Sequence, residues 1–226
     1  EFLRFKNKLF NLTEKLDEFH LSEVKKLYSE YLNFGAYPKI ILENDLSKKE
    51  KYLMQIIDTY IRKDIRDLAK INNISKFNNL LRILSAQQGQ LLNIQNLASD
   101  LGLAPKTIQK YLYFLEETYV LKLLPPFSTN VKIEVSKAAK VFFYDTGLAK
   151  MLWQKSLSGP ISGSIFETNI FSQLVKKYGS GQIHYWRNKN GNEIDFILRK
   201  DNEILPMEVK LNFNHFSSRP MAAFCQ

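Results

Sequence analysis

Two carboxylates and a lysine near the end of the chain have the residue types and spacing that phosphodiester hydrolysis requires. Asp195 sits inside the strand-like run Glu193-Ile-Asp-Phe-Ile-Leu198. Glu208 and Lys210 close a second run, Glu203-Ile-Leu-Pro-Met-Glu-Val-Lys210. Side chains alternate across a strand, so Glu208 and Lys210 share one face, a pleat apart. A polar turn between the runs lets Asp195 come beside them. Hard carboxylate oxygens suit Mg2+ or Mn2+, which would activate water and offset charge on a phosphate. A lysine ammonium would position that water or stabilise the transition state. The plainer alternative is three polar side chains on the wet face of an antiparallel sheet. His20, His184 and His215 show no metal-ligand spacing and read as surface or core residues.

Glu167 admits two readings. Ser164-Ile-Phe-Glu167 fits a capping box, in which the carboxylate only satisfies a backbone N–H. Glu167 also precedes Ile170 and Phe171 by three and four residues, which puts it at the edge of a buried stripe, facing a sheet. A carboxylate there needs a cation or donors, and with Asp195 and Glu208 it would complete a metal shell.

The elements that must position these groups follow from periodicity and punctuation. Residues 1–75 read as helices. One apolar stripe, Val24, Leu27, Tyr28, Tyr31 and Leu32, stops at Gly35 before Pro38. A second, Leu53, Ile56, Ile57, Tyr60, Ile61 and Ile65, opens with a capping box over Ser47-Lys-Lys-Glu50. Arg62, Asp64 and Arg66 read as a solvated helix face rather than as contacts to a neighbouring subunit or nucleotide. Residues 76–155 read as a winged helix. Its helices are Phe77 to Ala86, Ile94 to Leu101 capped by Asn93 and stopped by Gly102, and one from Pro105 to Glu117. Strands from Val120 to Leu124 and from Lys140 to Tyr144 are the sides of the wing. Lys106, Thr107, Gln109, Lys110 and Tyr113 would be exposed on the third helix, suited to phosphates and base edges. The alternative is a connector or protein-contact module, with Tyr111, Phe114 and Tyr119 read as core. A Gly/Ser/Pro segment at 156–164 opens the last part, residues 156–226. That part reads as a helix, Ile165 to Tyr178, three strands (Ile183 to Arg187, Glu193 to Arg199, Ile204 to Leu211) and a final helix, with a hairpin signal at Asn190-Gly191.

Composition bounds the rest. The chain has 226 residues, 45% of them hydrophobic, and a formal charge of +9. The excess lies in residues 51–200, with 21 Lys/Arg against 11 Asp/Glu, while residues 1–50 balance at 9 against 9. A polyanion such as nucleic acid explains this, as does ordinary lysine-rich surface. Cys225 is the only cysteine, so an intramolecular disulfide and a zinc-cysteine cluster are excluded, and a reducing cytoplasm is the expectation. No apolar run reaches ~18 residues, so no membrane span is expected. A start without Met suggests part of a longer polypeptide.

Four motifs in order, Gly163-x-x-Phe166-Glu167, His184-Tyr-Trp-Arg187, Gly191-Asn-Glu-Ile-Asp195-Phe and Glu208-Val-Lys210, resemble the PD-(D/E)XK nuclease-like domain at the C-terminus of a large group of prokaryotic AAA+-type ATPases. Tyr31-Leu-Asn-Phe-Gly35-Ala-Tyr-Pro38 and Phe143-Tyr-Asp145-Thr-Gly147-Leu148 look like signatures of the same group. The resemblance implies an α/β (α+β) chain: a helical tail and lid of an ATPase core, a winged helix, and a truncated restriction-endonuclease-like α-β-β-β-α domain. It implies metal binding at Glu167, Asp195 and Glu208 and assistance by Lys210; DNA contact is expected at Lys106, Thr107, Gln109, Lys110 and Arg187. One departure is Ile194, which stands where Pro precedes the first catalytic Asp of that superfamily. No Gly-x-x-x-x-Gly-Lys-Ser/Thr loop occurs, so ATP would bind only in a core outside this chain. The expected function is metal-dependent DNA binding and phosphodiester cleavage coupled to an N-terminal ATPase. The alternative is a non-catalytic DNA- or protein-binding adaptor of that motor.

Overall fold

The computed structural model describes residue 2 and residues 17–225, apart from 65, 66, 69, 72, 129, 131–136, 202, 213 and 215. Ile65, Arg66 and His215, and the side chains of Arg62 and Asp64, therefore lie outside the described residues. The architecture is mixed α/β with two small antiparallel sheets, and no described helix is long and apolar enough to cross a membrane.

The N-terminal part is helical. Helix α1 spans Glu18–Phe34, is capped by Asp17 and stops at Gly35, whose φ of 77° an L side chain rarely adopts. Helix α2 is Pro38–Leu42, and α3 is Leu46–Ile56, running on as a π-helix over Ile57–Asp64. The start of α3 differs from the sequence expectation. Asp45, not Ser47, is the cap, its carboxylate accepting from Lys48 N at 2.9 Å. Glu50, expected to close the box, instead accepts from Ser156 Oγ and Leu157 N, fastening the later Ser/Gly segment.

Helices α4 (Ile74–Ala86), α5 (Ile94–Leu101) and α6 (Pro105–Glu117) follow. Asn93 caps α5, Gly102 ends it in the left-handed region, and Pro105 opens α6, so both ends of the α5–α6 turn lie where the sequence put them. Strands β1 (Leu121–Leu124) and β2 (Lys140–Phe143) pair antiparallel, Leu121 opposite Phe143 and Leu124 opposite Lys140. Successive β2 side chains face opposite ways. Val141 and Phe143 join the helical core, while Phe142 joins a second core beneath the other sheet. Lys140 shares the face of Phe142 and so projects toward that second unit.

Helix α7, Thr146–Gln154, was absent from the sequence reading. Its signal was Asp145, which caps it by accepting from Leu148 N at 2.8 Å and also accepts from Ala36 N at 2.7 Å. One carboxylate thus ties the chain after α1 to the start of α7. Gly147 lies against the Phe34 carbonyl and Thr146 Oγ1 donates to Tyr31 O, so the two sequence signatures around Gly35 and Asp145 form a single joint.

Helix α8 is Gly163–Tyr178 and stands between the two units. Phe171 stacks on Phe142 of β2, with ring centroids 4.8 Å apart, and on Phe196 of the sheet. The helix also buries Thr168, Asn169 and Ser172, bonded respectively to Gln88, Tyr28 and the Tyr144 carbonyl. Polar residues are tolerated there because each finds a partner. The sheet has the order β3-β4-β5, all antiparallel: β3 Ile183–Arg187, β4 Glu193–Lys200 and β5 Glu203–Met207. Pro206 sits on the edge strand, where a missing N–H costs least. Helix α9, Arg219–Phe224, is pinned by Phe224 between Phe127 and Trp186 at 5.7 and 5.3 Å.

Candidate functional site

Strand β5 ends at Met207, opposite Phe196, four residues short of the expected Leu211. The cause is Asp195. Its Oδ2 accepts from Val209 N at 2.8 Å, so a side chain replaces the next rung of the ladder. Glu208 and Lys210 still lie on one side, as strand alternation would place them. Lys210 Nζ is 2.6 Å from Glu208 Oε2 and 3.2 Å from Asp195 Oδ2, bridging both carboxylates. Burial raises the Glu208 carboxyl above its ordinary range; Lys210 opposes this and Asp195 adds to it. Burial works against the Lys210 charge, but its bonds to the two carboxylates prevail and hold the ammonium above its usual range. The group opens on a cleft of about 410 Å³, lined by Glu193, Asp195, Glu208 and Lys210 together with Ser217 and Arg219.

Glu167 does not cap α8. Ser162 does, accepting from Ile165 N two residues earlier than the expected box. The Glu167 side chain is 17% exposed and lies 3.7 Å from Lys140 Nζ, which is itself 2.6 Å from Glu193 Oε1. Among the described residues its Oε1 has no hydrogen-bond partner. Its carboxylate also lies against Gly89, where an added Cβ would sit 2.8 Å from Oε2. Burial pushes the Glu167 carboxyl up to about 8; Lys140 opposes this, and Asp195 and Glu193 add to it. Glu167 thus stands behind the cleft, electrostatically coupled to Asp195 and Lys210 but outside the cleft lining. Among the described residues no group of three or more His, Cys, Asp or Glu side chains is set to hold a metal ion. Two carboxylates, Asp195 and Glu208, do converge.

The Glu167 environment fixes a pH dependence. A carboxyl raised from 4.5 to about 8 favours folding while protonated, and that contribution disappears as pH rises through about 8. In EDTA, wild-type protein should lose stability relative to Glu167→Gln between pH 5 and 8.5, by at most about 5 kcal/mol. Thermal melts across that window check this; a difference that is flat or opposite in sign would contradict it.

The remaining expected residues fall elsewhere. Lys106, Gln109, Lys110 and Tyr113 are exposed and Thr107 is partly exposed, all on α6 as expected, and none lines the cleft. Arg187 pairs with Glu193 at 3.5 Å. Of the three aromatics read as core, Tyr111 is buried and Phe114 partly so, but Tyr119 is 75% exposed. It follows the end of α6 with φ 56°, which turns its ring outward. Sequence reasoning missed Lys140 and Arg219. Lys140 was legible only as an isolated cation beginning an apolar strand.

Residues 25–158 match the family described as domain of unknown function DUF8612, and residues 162–226 match domain of unknown function DUF4143, a domain found in AAA-ATPase-associated proteins. The chain is similar to an uncharacterized protein of Methanocaldococcus jannaschii, 28% identical over 94% of this chain and 48% of that protein. Uncharacterized proteins of Haemophilus influenzae (29% over 82% of this chain and 46% of that protein) and Mycobacterium tuberculosis (25% over 73% and 38%) are also similar. The chain spans about half the length of these relatives, or less. No solved structure matches it.

Proposed function

Given that the chain belongs to the DUF8612 family and continues into a DUF4143 match, we propose that its C-terminal unit is a PD-(D/E)XK-like nuclease that cleaves nucleic-acid phosphodiesters with a divalent ion. The observation carrying this reading is the meeting of Asp195 and Glu208 under one bridging ammonium at the lip of a cleft. An ammonium between two carboxylates marks a place that favours positive charge. Mg2+ is commonly held by one or two carboxylates, with water completing its shell, so this donor set fits Mg2+ or Mn2+. Such an ion would supply activated water and offset phosphate charge.

The chain's own residues do the rest. Asp195 and Glu208 fix the cation's position, with Asp195 itself oriented by Val209 N. Lys210, released from the carboxylates, would donate toward the attacking water or a phosphate oxygen. Glu167, Lys140 and Glu193 brace the back of the site and tie it to β2. The α4–α6 helices followed by the β1–β2 hairpin support a winged-helix reading, with Lys106 and Lys110 as its phosphate contacts, and the DUF4143 match supports coupling to an ATPase core. The rival reading, a non-catalytic adaptor, draws on the position of Glu167 outside the cleft.

The test is cleavage of labelled single-stranded, double-stranded and branched DNA with Mn2+. Lys210→Ala should lower the rate about 100-fold or more, in line with loss of a charge-stabilising donor, while divalent-ion binding persists. Wild-type protein, including a form joined to its ATPase core, that cleaves none of these substrates would favour the adaptor.

A further inference from the structure

The basic groups around the cleft differ in what they have left to offer. Lys210 is held by Asp195 and Glu208, Arg187 pairs with Glu193, and Lys140 is buried between Glu193 and Glu167. Arg219 lines the same cleft as the carboxylates. Among the described residues its guanidinium forms no ion pair or hydrogen bond; only its backbone N–H is engaged, by Ser217 Oγ at 3.4 Å. The helix that Arg219 opens, α9, is anchored by the Phe224 ring against Phe127 and Trp186.

Three carboxylates in the lining, Glu193, Asp195 and Glu208, repel a free anion. An uncommitted, exposed guanidinium in the same lining changes which ligand the cleft fits: an anionic group able to meet both a cation and a planar donor fork. A phosphodiester, with two non-bridging oxygens, meets that description, and the fork of Arg matches phosphate in a bidentate way that Lys does not. Resting on the nuclease reading above, we propose that Arg219 is a phosphate-binding residue that grips the nucleic-acid backbone in the cleft that Asp195 and Glu208 also line. Ser217, which also lines the cleft, offers a second donor.

The experiment uses the full chain and a fluorescent single-stranded oligonucleotide with Ca2+, read by anisotropy over a range of salt, together with Mn2+ titration of each protein. Arg219→Gln should weaken oligonucleotide binding about tenfold or more. It should also reduce the salt slope by about 0.7, the value for one lost single-strand phosphate contact. Mn2+ affinity should be unchanged, and Arg219→Lys should recover part of the loss. Wild-type binding with an equal affinity and slope in Arg219→Gln would overturn the Arg219 assignment and leave the nuclease reading standing. Loss of Mn2+ binding in Arg219→Gln would also overturn it, by making the residue structural. A wild-type protein that binds Mn2+ but no oligonucleotide would overturn both.

Discussion

Gly147→Ala is expected to cost more than about 3 kcal/mol, a large share of the 5–15 kcal/mol that holds a typical domain together. The added Cβ would stand 2.1 Å from the Phe34 carbonyl oxygen, 2.4 Å from its carbon and 2.9 Å from Gly35 N. These are backbone atoms, so no rotamer change relieves the clash, and α1 and α7 would have to part. Parting them strips Asp145 of the Ala36 N–H that helps hold its enclosed carboxylate; burial already raises that carboxyl, opposed by its backbone hydrogen bonds. A urea midpoint followed by circular dichroism measures the effect. Gly163→Ala is the control, since a Cβ there meets nothing within 4 Å and the position opens α8. It should be neutral or stabilising by about 0.5–1 kcal/mol. A wild-type midpoint for Gly147→Ala would refute the joint as described.

Asp195→Asn is expected to abolish cleavage, with a loss of at least about 1,000-fold, and to leave the fold intact. The amide keeps the shape of the carboxylate, and its oxygen can still accept from Val209 N. It cannot serve as an anionic ligand, and it no longer attracts Lys210. Without metal, the substitution also removes one of the like charges raising Glu208 and Glu167, so the metal-free variant should melt at or above the wild-type temperature. Lower metal-free stability would show Asp195 to be chiefly a structural ion-pair partner of Lys210.

Local signals were the legible part of this sequence. Asn93, Gly102 and Pro105 each specify backbone geometry by themselves, and α5 and α6 begin and end on them. Both misplaced helix starts share one cause. Ser47 and Ser164 each precede a Glu by three residues, but an equally good cap lies two residues upstream, at Asp45 and Ser162. In each case the Glu is drawn away by a partner distant in sequence: Glu50 by residues 156 and 157, Glu167 by Lys140. Helix propensity contains no such information. The same division holds for the site. Asp195, Glu208 and Lys210 were legible because two neighbouring strands and a turn bring them together. Lys140 and Arg219 were not, because one reaches the site by the alternation of a strand some fifty residues upstream and the other by aromatic packing of a six-residue helix.

The assignment of Asp195 and Glu208 as the ligands of a divalent ion is tested most directly by crystals grown with Mn2+ and anomalous scattering at its absorption edge. The expected result is one ion within about 2.1 Å of an oxygen from each carboxylate, the distance of this class of hard cation, with Lys210 Nζ turned out of the space it bridges between Asp195 and Glu208. An anomalous map with no peak in the cleft at millimolar Mn2+, with Lys210 still 2.6 Å from Glu208 Oε2, would contradict it.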